Sequence, residues 1–390
     1  MRLQLGQPAC LALAVSITFA TRDPVSAADE PWRLSTDTLV YSDSDNVVVV
    51  SPQMAVRRAL DDDGGNASAR VVVDVVSAAS VDVVSQATKR FSEVRTEADL
   101  GLAKSFGSWL PSVSYRYSHE PDYQSTGLGA GLQHRFAGSD ATAAVSYDLS
   151  LDTVGYVGTA EGTFSEPLRS HAGNFSLTQV IGPKAVVRGV YTLSVQDGYL
   201  EKPYRFVPVF DQAGIAAAAS DGVTINLSNF DRYRLPERIT EEVPDTRIGH
   251  AFAVRGLRYV EAISGSIRAD VQLFADSWGL TAETIEPGLT WSASQRIQMA
   301  IYLRSYVQQA ARFWRREYVV DDPDTVPRWR TLDRDLSDYF AATLGGRLEW
   351  QRGILSGYVD VSGAVTAYSD YLFLNGRLAL VGQAGVRLDL

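Results

Sequence analysis

One short stretch of the chain combines residue types that can exchange protons. His119, Glu120 and Asp122 lie close together, and imidazole and carboxyl groups are common general acids and bases in enzymes. The same stretch also has the composition of an ordinary polar turn around Pro121. The sequence carries no glycine-rich phosphate loop, zinc-ligand spacing or calcium-loop spacing. We therefore expect no enzymatic activity, no metal and no cofactor.

Other charged residues recur inside stretches that alternate between apolar and polar positions. In Lys184–Gln196, one row holds Val187 and Tyr191, while the other row carries Arg188. Successive side chains of a strand point to opposite faces, and a charge that faces lipid is costly. The charged rows are therefore predicted to face the interior of a barrel. There they would line a water-filled pathway or form a ladder of ion pairs that stabilises the barrel. The candidate interior residues are Arg188, Arg268, Asp270 and Arg304.

The alternating stretches predict an all-β fold, an antiparallel transmembrane β-barrel over residues 28–390. A soluble β-sandwich also alternates, but its strands usually have about five to six residues, whereas these have about 10–14. We count about 16 strands, or about 14 if Ser35–Tyr41 and Val47–Arg58 form only an N-terminal extension. Short turns alternate with longer connections, which is typical of barrels with short periplasmic turns and long extracellular loops. The longer connections are Ala78–Arg90, Asp152–Ala172, Asp197–Asp245 and Ala311–Ser337.

The N-terminal residues resemble a secretory signal. Arg2 precedes the apolar Leu11–Ala20, and Val25-Ser26-Ala27 fits a cleavage site, so residues 1–27 are predicted to be a signal peptide. The only cysteine, Cys10, lies within it, which leaves no disulfide framework. The formal net charge of −10 argues against a nucleic-acid partner. We expect the outer membrane of a Gram-negative bacterium, with its lipid and the barrel-assembly machinery as partners.

Several segments carry a resemblance to a known family. They are Asp74–Ser80, Phe91–Arg95, Gly198-Tyr199, Pro203–Arg205, Pro244–Arg247 with His250, Asp276–Gly279 and Phe313–Tyr318. With these segments the chain resembles an uncharacterised family of bacterial outer-membrane β-barrels, a domain of unknown function of roughly this length. The resemblance implies an outer-membrane barrel without an established activity. Genes of such families often sit beside a small lipoprotein, a thioredoxin-like protein and a flavin transferase, which implies a partner in an envelope redox system.

The segment Asp197–Asp245 is long for a loop and rich in aromatic and acidic residues. We expect it at the extracellular end, with part of it folded into the barrel mouth, where luminal arginines such as Arg188 would pair with its acids. A mobile external loop is the alternative. The residues that match the family segments are the expected anchors of the loop: Tyr199, Tyr204, Arg205 and Asp245.

Two functions fit this sequence. The first is a porin-like channel or transporter for small polar solutes. The second is a non-conducting scaffold that holds a lipoprotein or a redox partner at the outer membrane. The residues do not identify a solute.

Overall fold

The computed structural model describes residues 32–78, 91–136, 138, 140–156 and 163–390. Sixteen antiparallel strands close into one barrel in which β1 pairs with the last strand, β20. The barrel strands are β1 (Trp32–Asp43), β2 (Val47–Ala59), β3 (Asn66–Ala78), β4 (Phe91–Ala103), β5 (Trp109–Glu120), β6 (Tyr123–Arg135), β7 (Ala141–Val154), β8 (Glu166–Val180), β9 (Ala185–Gly198), β13 (Thr246–Val260), β14 (Gly265–Asp276), β15 (Thr281–Ser292), β16 (Ile297–Gln309), β18 (Tyr339–Arg352), β19 (Leu355–Tyr368) and β20 (Gly376–Asp389). The short strands outside the barrel are β10 (Phe206–Val207), β11 (Val209–Phe210), β12 (Ile239–Thr240) and β17 (Tyr318–Val319).

The predicted all-β antiparallel barrel is confirmed, with 16 strands. The alternative of about 14 strands is wrong, because both N-terminal stretches belong to the wall. Pro52 lies inside β2, and the pairing between β2 and β3 is interrupted beside it, since proline has no backbone N–H to donate. The barrel tolerates this one missing ladder bond because β1 still pairs with β2 along Pro52. The predicted signal peptide, residues 1–27, lies outside the described residues.

The outer wall is apolar, and the inner wall is polar. On β4, Val94 and Leu100 are 48% and 56% exposed, whereas Glu93 on the opposite face is 6% exposed. Large aromatic side chains, among them Trp32 and Trp109, are exposed at the short-turn end. An apolar outer band with aromatic residues at its edge is the surface that a bilayer requires. None of the described helices is long and apolar enough to cross a membrane.

Short and long connections lie at opposite ends of the barrel. Turns such as 181–184, 293–296 and 353–354 lie at one end, and the segments 199–245 and 310–338 lie at the other. The predicted connection Asp152–Ala172 is too long, because β7 continues to Val154 and β8 already begins at Glu166. The predicted connection Ala78–Arg90 falls mainly on residues outside the described part of the chain.

A glycine on the inner wall offers a test of packing inside the barrel. A Cβ atom at Gly345 would overlap Cζ of Tyr302, whose hydroxyl donates to Asp360 at 3.0 Å. We expect Gly345→Ala to displace this ring and to lower the free energy of unfolding by about 1–3 kcal/mol. Urea unfolding in lipid vesicles measures it. Gly346→Ala is the matched control, since its Cβ would meet only Ala300 O at 3.7 Å; equal losses in both variants would refute the packing argument.

Candidate functional site

The barrel encloses a cavity of about 1310 Å³. The lining comes from the inner faces of β3 to β9 and of β13 to β19, and it extends to residues beside the short turns, such as Ser68 and Ser112. Ten charged side chains contribute to this lining: Asp148, Arg188, Arg255, Arg268, Asp270, Glu286, Arg304, Arg347, Glu349 and Asp360. A polar cavity of this size is large enough for water and small solutes.

One row of charges crosses five neighbouring strands of the cavity wall. Cross-strand pairing places Arg188 opposite Arg255, Arg255 opposite Asp270, and Asp270 opposite Glu286. The carboxylate of Asp270 accepts from Arg255, with one distance of 3.2 Å. Arg304 on β16 lies 4.0 Å from Glu286. This row holds three of the four interior residues that the sequence predicts.

The fourth predicted interior residue, Arg268, lies beside this row. Its Nε is 3.1 Å from Asp270, and its Nη2 contacts Glu286. The two carboxylates are therefore each shared between two guanidinium groups.

The opposite wall carries a second set of ion pairs. Arg70 lies 2.7 Å from Asp99 and 3.0 Å from Glu97, and Arg116 lies 3.2 Å from the same Asp99. Side chains on both walls thus form cross-strand ion pairs, and a wide cavity remains between the walls. The predicted ladder of ion pairs is therefore present, and it lines a polar cavity.

Residues 199–245 and 310–338, which we call the cap, fold together over the long-loop end. Strand β11 of the first segment pairs in parallel with β17 of the second. Helix Gln212–Ser220 begins at Asp211, whose side chain accepts from the Gly214 N–H at 2.6 Å. The cap has a hydrophobic core that includes the fully buried Phe210 and Leu332. The two loops are therefore one packed unit.

The cap core rests on the inner face of the barrel rim. Partly buried Phe274 and Tyr339 and buried Tyr368 pack against this core. Their positions on β14, β18 and β19 pair with inward-facing positions of neighbouring strands. Gln308, also at the rim, donates its side-chain amide to Ser337 O at 2.8 Å. Part of the cap thus occupies the mouth of the barrel.

A buried ion network joins the two cap segments. Arg205 is 4% exposed and lies 2.6 Å from Asp333 and 3.4 Å from Glu241. Lys202 lies 2.6 Å from Asp333. Burial alone would raise the pKa of Asp333, but the charges of Arg205 and Lys202 outweigh burial and hold this pKa well below its usual range. The network keeps Asp333 ionised and ties residues 199–245 to residues 310–338.

Further contacts fix the cap to hairpins around the rim. The guanidinium of Arg334 pairs with Asp45 between β1 and β2, where the two side chains are 6% and 2% exposed. On another side, Tyr204 donates to Asp122 at 2.8 Å and stacks on Tyr156 at a ring distance of 4.3 Å. These attachments span the mouth.

The predicted anchors therefore differ in role. Tyr204 and Arg205 make the side-chain contacts just described, and the Tyr199 ring meets Phe164 edge-on at 5.5 Å. The side chain of Asp245 is exposed, and its backbone carbonyl accepts from the Gly198 N–H at 3.0 Å. The expectation that Arg188 pairs with acids of the loop is wrong, because Arg188 is near the short-turn start of β9, away from the cap.

The side chains of His119, Glu120 and Asp122 do not come together in one site. Strand alternation in β5 places His119 and Glu120 on opposite faces. Glu120 instead groups with Glu93 and Asp122, and their carboxylate oxygens lie within 4.8 Å of one another. Three such oxygens are ligands of the kind that Ca²⁺ or Mg²⁺ prefers. Asp122 already accepts the hydrogen bond from Tyr204, which gives the cluster a role in holding the cap.

Sequence reasoning missed several residues that build the cap. These residues lie in the two cap segments, and no local sequence pattern predicts how they pair: Lys202, Glu241, Asp333 and Arg334. Among the family segments, Asp276–Gly279 also has a structural role. Asp276 lies 2.6 Å from Arg247, and the Trp278 indole donates to Thr246 O at 3.0 Å, so this segment joins β13 and β14 beneath the cap.

The comparisons with known proteins agree with this architecture. A family model described as "Protein of unknown function (DUF3570)" matches residues 83–370, which is more than half of the chain. The chain belongs to this family. The predicted resemblance to an uncharacterised family of outer-membrane barrels is confirmed. A search of curated proteins finds no match to this family member.

A solved structure shares the fold of this DUF3570 protein at very low sequence identity. The chain is similar to a structure titled "Bacterial polysaccharide outer membrane secretin", with 6% identity, a TM-score of 0.51, and coverage of 93% of this chain and 99% of that one. It is also similar to CdiB from Acinetobacter baumannii, with 7% identity, a TM-score of 0.49, and coverage of 91% of this chain and 60% of that one. The first likeness shows an outer-membrane barrel fold.

Proposed function

We propose that this protein is an outer-membrane channel for small polar solutes, with a cap that closes its extracellular mouth. The observation that carries the proposal is the cavity of about 1310 Å³, which is lined by charged and polar side chains below the cap. Sixteen strands give a barrel wide enough for water unless it is plugged. The barrel begins at Trp32 and ends at Asp389, both at the short-turn end, and we assign this end to the periplasm because outer-membrane barrels have short periplasmic turns. Solute would cross when the cap moves.

A second candidate is a non-conducting scaffold that holds a small lipoprotein or an envelope redox partner. The packed core of the cap favours it, because a mouth closed by buried aromatic residues impedes solute. Both candidates place the protein in the outer membrane of a Gram-negative bacterium, where the apolar outer band contacts lipid.

Flux through reconstituted protein separates the two candidates. We expect liposomes that contain the folded chain to release a small polar solute faster than empty liposomes and to retain a solute too large for the cavity. Heat-modifiable gel mobility verifies that the barrel is folded, and heat-denatured protein is the control. Retention of both solutes by folded protein, together with a co-purifying lipoprotein, would support the scaffold and refute the channel.

A further inference from the structure

We propose that the channel lumen holds a binding site for a small oxyanion, a carboxylate or phosphate group, at Arg188 and Arg255. This inference rests on the proposed function in one respect, since it names the class of solute that the cavity would prefer. The site lies on the inner faces of β9 and β13 and lines the central cavity. Nothing in the cap contributes to it.

The charges of this wall do not balance. Four guanidinium groups, those of Arg188, Arg255, Arg268 and Arg304, line this wall, and in the described part of the chain their only salt-bridge partners are Asp270 and Glu286. Asp270 pairs with Arg255 and Arg268, and Glu286 pairs with Arg268 and Arg304, so the excess positive charge falls at the Arg188 end of the row. That end is formed by Arg188, which pairs across the strands with Arg255.

Arg188 has the free hydrogen-bonding capacity that a ligand would use. Within the described part of the chain, no carboxylate lies within salt-bridge distance of its guanidinium, and its buried Nε has no hydrogen-bond partner. Its neighbour on the other side is Thr178 on β8, which is uncharged. An unpaired cation beside a second cation is unfavourable, and an anion that bridges them relieves the repulsion.

The guanidinium geometry favours oxyanions over halides. A planar guanidinium donates two parallel hydrogen bonds to a carboxylate or a phosphate, and these charged bonds are among the strongest in proteins. Chloride offers no pair of acceptor atoms at that spacing. The hydroxyl of Thr178, which also lines the cavity, can donate to a further ligand oxygen.

Isothermal titration of the full folded chain in detergent tests this site. Inorganic phosphate and acetate are titrated separately at pH 7 against a constant chloride background, so that the two arms distinguish phosphate from carboxylate. We expect Arg188→Gln to weaken binding of the preferred anion about tenfold or more, since charge-assisted hydrogen bonds are lost. Arg188→Lys keeps the charge but loses the planar fork, so we expect an intermediate loss.

Arg116→Gln is the matched control. It removes one luminal guanidinium from the opposite wall, where Arg70 still pairs with Asp99. We expect it to change the affinity less than about threefold, because it makes no hydrogen bond to the ligand. Equal losses in Arg188→Gln and Arg116→Gln would show that only the net luminal charge matters and would overturn the site, as would an absence of binding heat in the unmodified chain.

The binding measurement is independent of solute flux. If the protein binds the anion but does not conduct, the result supports the binding site and refutes the proposed channel. Flux without binding would refute the site and leave the channel. If Arg188→Gln does not reach the folded, heat-modifiable state, Arg188→Lys decides, because undiminished affinity in that variant would contradict recognition by the planar guanidinium.

Discussion

Replacing residues 200–243 with a short flexible turn should convert the protein into a channel with a large, sustained conductance. These residues supply Phe210, Ile225, Phe230 and other members of the core that packs on the rim. The backbone allows the change, because the Gly198 N–H donates to Asp245 O at 3.0 Å, so β9 and β13 already meet at the base of the loop. Single-channel recording in planar bilayers measures the increase over the unmodified chain.

A deletion elsewhere in the cap gives the control. Replacing Asp322–Thr325 with two glycines shortens a mostly exposed part of the second cap segment and leaves its buried core in place. We expect the conductance of this variant to remain that of the unmodified chain. If the variant that lacks residues 200–243 folds but conducts no better than this control, the cap does not obstruct the lumen.

The second large effect is expected from Arg205→Ala. This change removes the guanidinium that Asp333 and Glu241 share and leaves Asp333 with Lys202 as its remaining cation; loss of one member of a buried ion pair typically costs about 3–5 kcal/mol, and we expect a loss at the lower end of this range. The barrel strands do not depend on this contact, so the loss should appear as local opening of the cap. Faster cleavage of the cap by protease added outside intact cells measures it.

Arg232→Ala is the matched control, since this arginine of the same loop is 73% exposed and pairs with a partly exposed Asp221. Exposed pairs contribute about 0–1 kcal/mol, so the cleavage rate should change little. Similar cleavage rates for the two variants would show that the buried network does not hold the cap.

The same network predicts how the cap responds to pH. The pKa of Asp333 is depressed in the folded chain, so its stabilising contribution is fully present above the pKa of an unfolded aspartate, near 4, and is lost only as pH falls through the lower folded pKa. The protease resistance due to this pair should therefore be unchanged between pH 8 and pH 5.

Much of the barrel is predictable because each strand carries its own periodic signal. On β9, the alternation between apolar residues and the row of Arg188 identifies the two faces without any tertiary information. Residues 166–172 are harder to assign to a strand from the sequence. Arg169 and His171 give this stretch the polarity of a loop, although both lie within β8. Strands of this barrel carry polar side chains on the face toward the lumen. Polarity therefore does not distinguish a strand from a loop, and it does not show where β8 begins.

The cap is not predictable in the same way. Arg205 and Asp333 lie in separate irregular segments, and their pairing depends on how two long loops pack on each other. The sequence identifies Tyr204 and Arg205 only through the family segments, and it carries no signal for Lys202 or Arg334. Alternation shows that Arg188 faces inward, but it does not show how deep Arg188 lies in the barrel. Depth depends on the position along the strand, and Arg188 is near the short-turn start of β9.

The central claim is that solute crosses the lumen when the first cap segment no longer closes the mouth. The most direct measurement records current through the variant that lacks residues 200–243, expressed from Ala28 so that Cys10 is absent, with one added cysteine. Ser114→Cys places a thiol on the cavity lining, and Leu100→Cys places one on the outer wall, where Leu100 is 56% exposed. A charged methanethiosulfonate reagent should reduce the current through Ser114→Cys and leave that of Leu100→Cys unchanged. Absence of current, or equal sensitivity of the two variants, would contradict a pathway through the lumen.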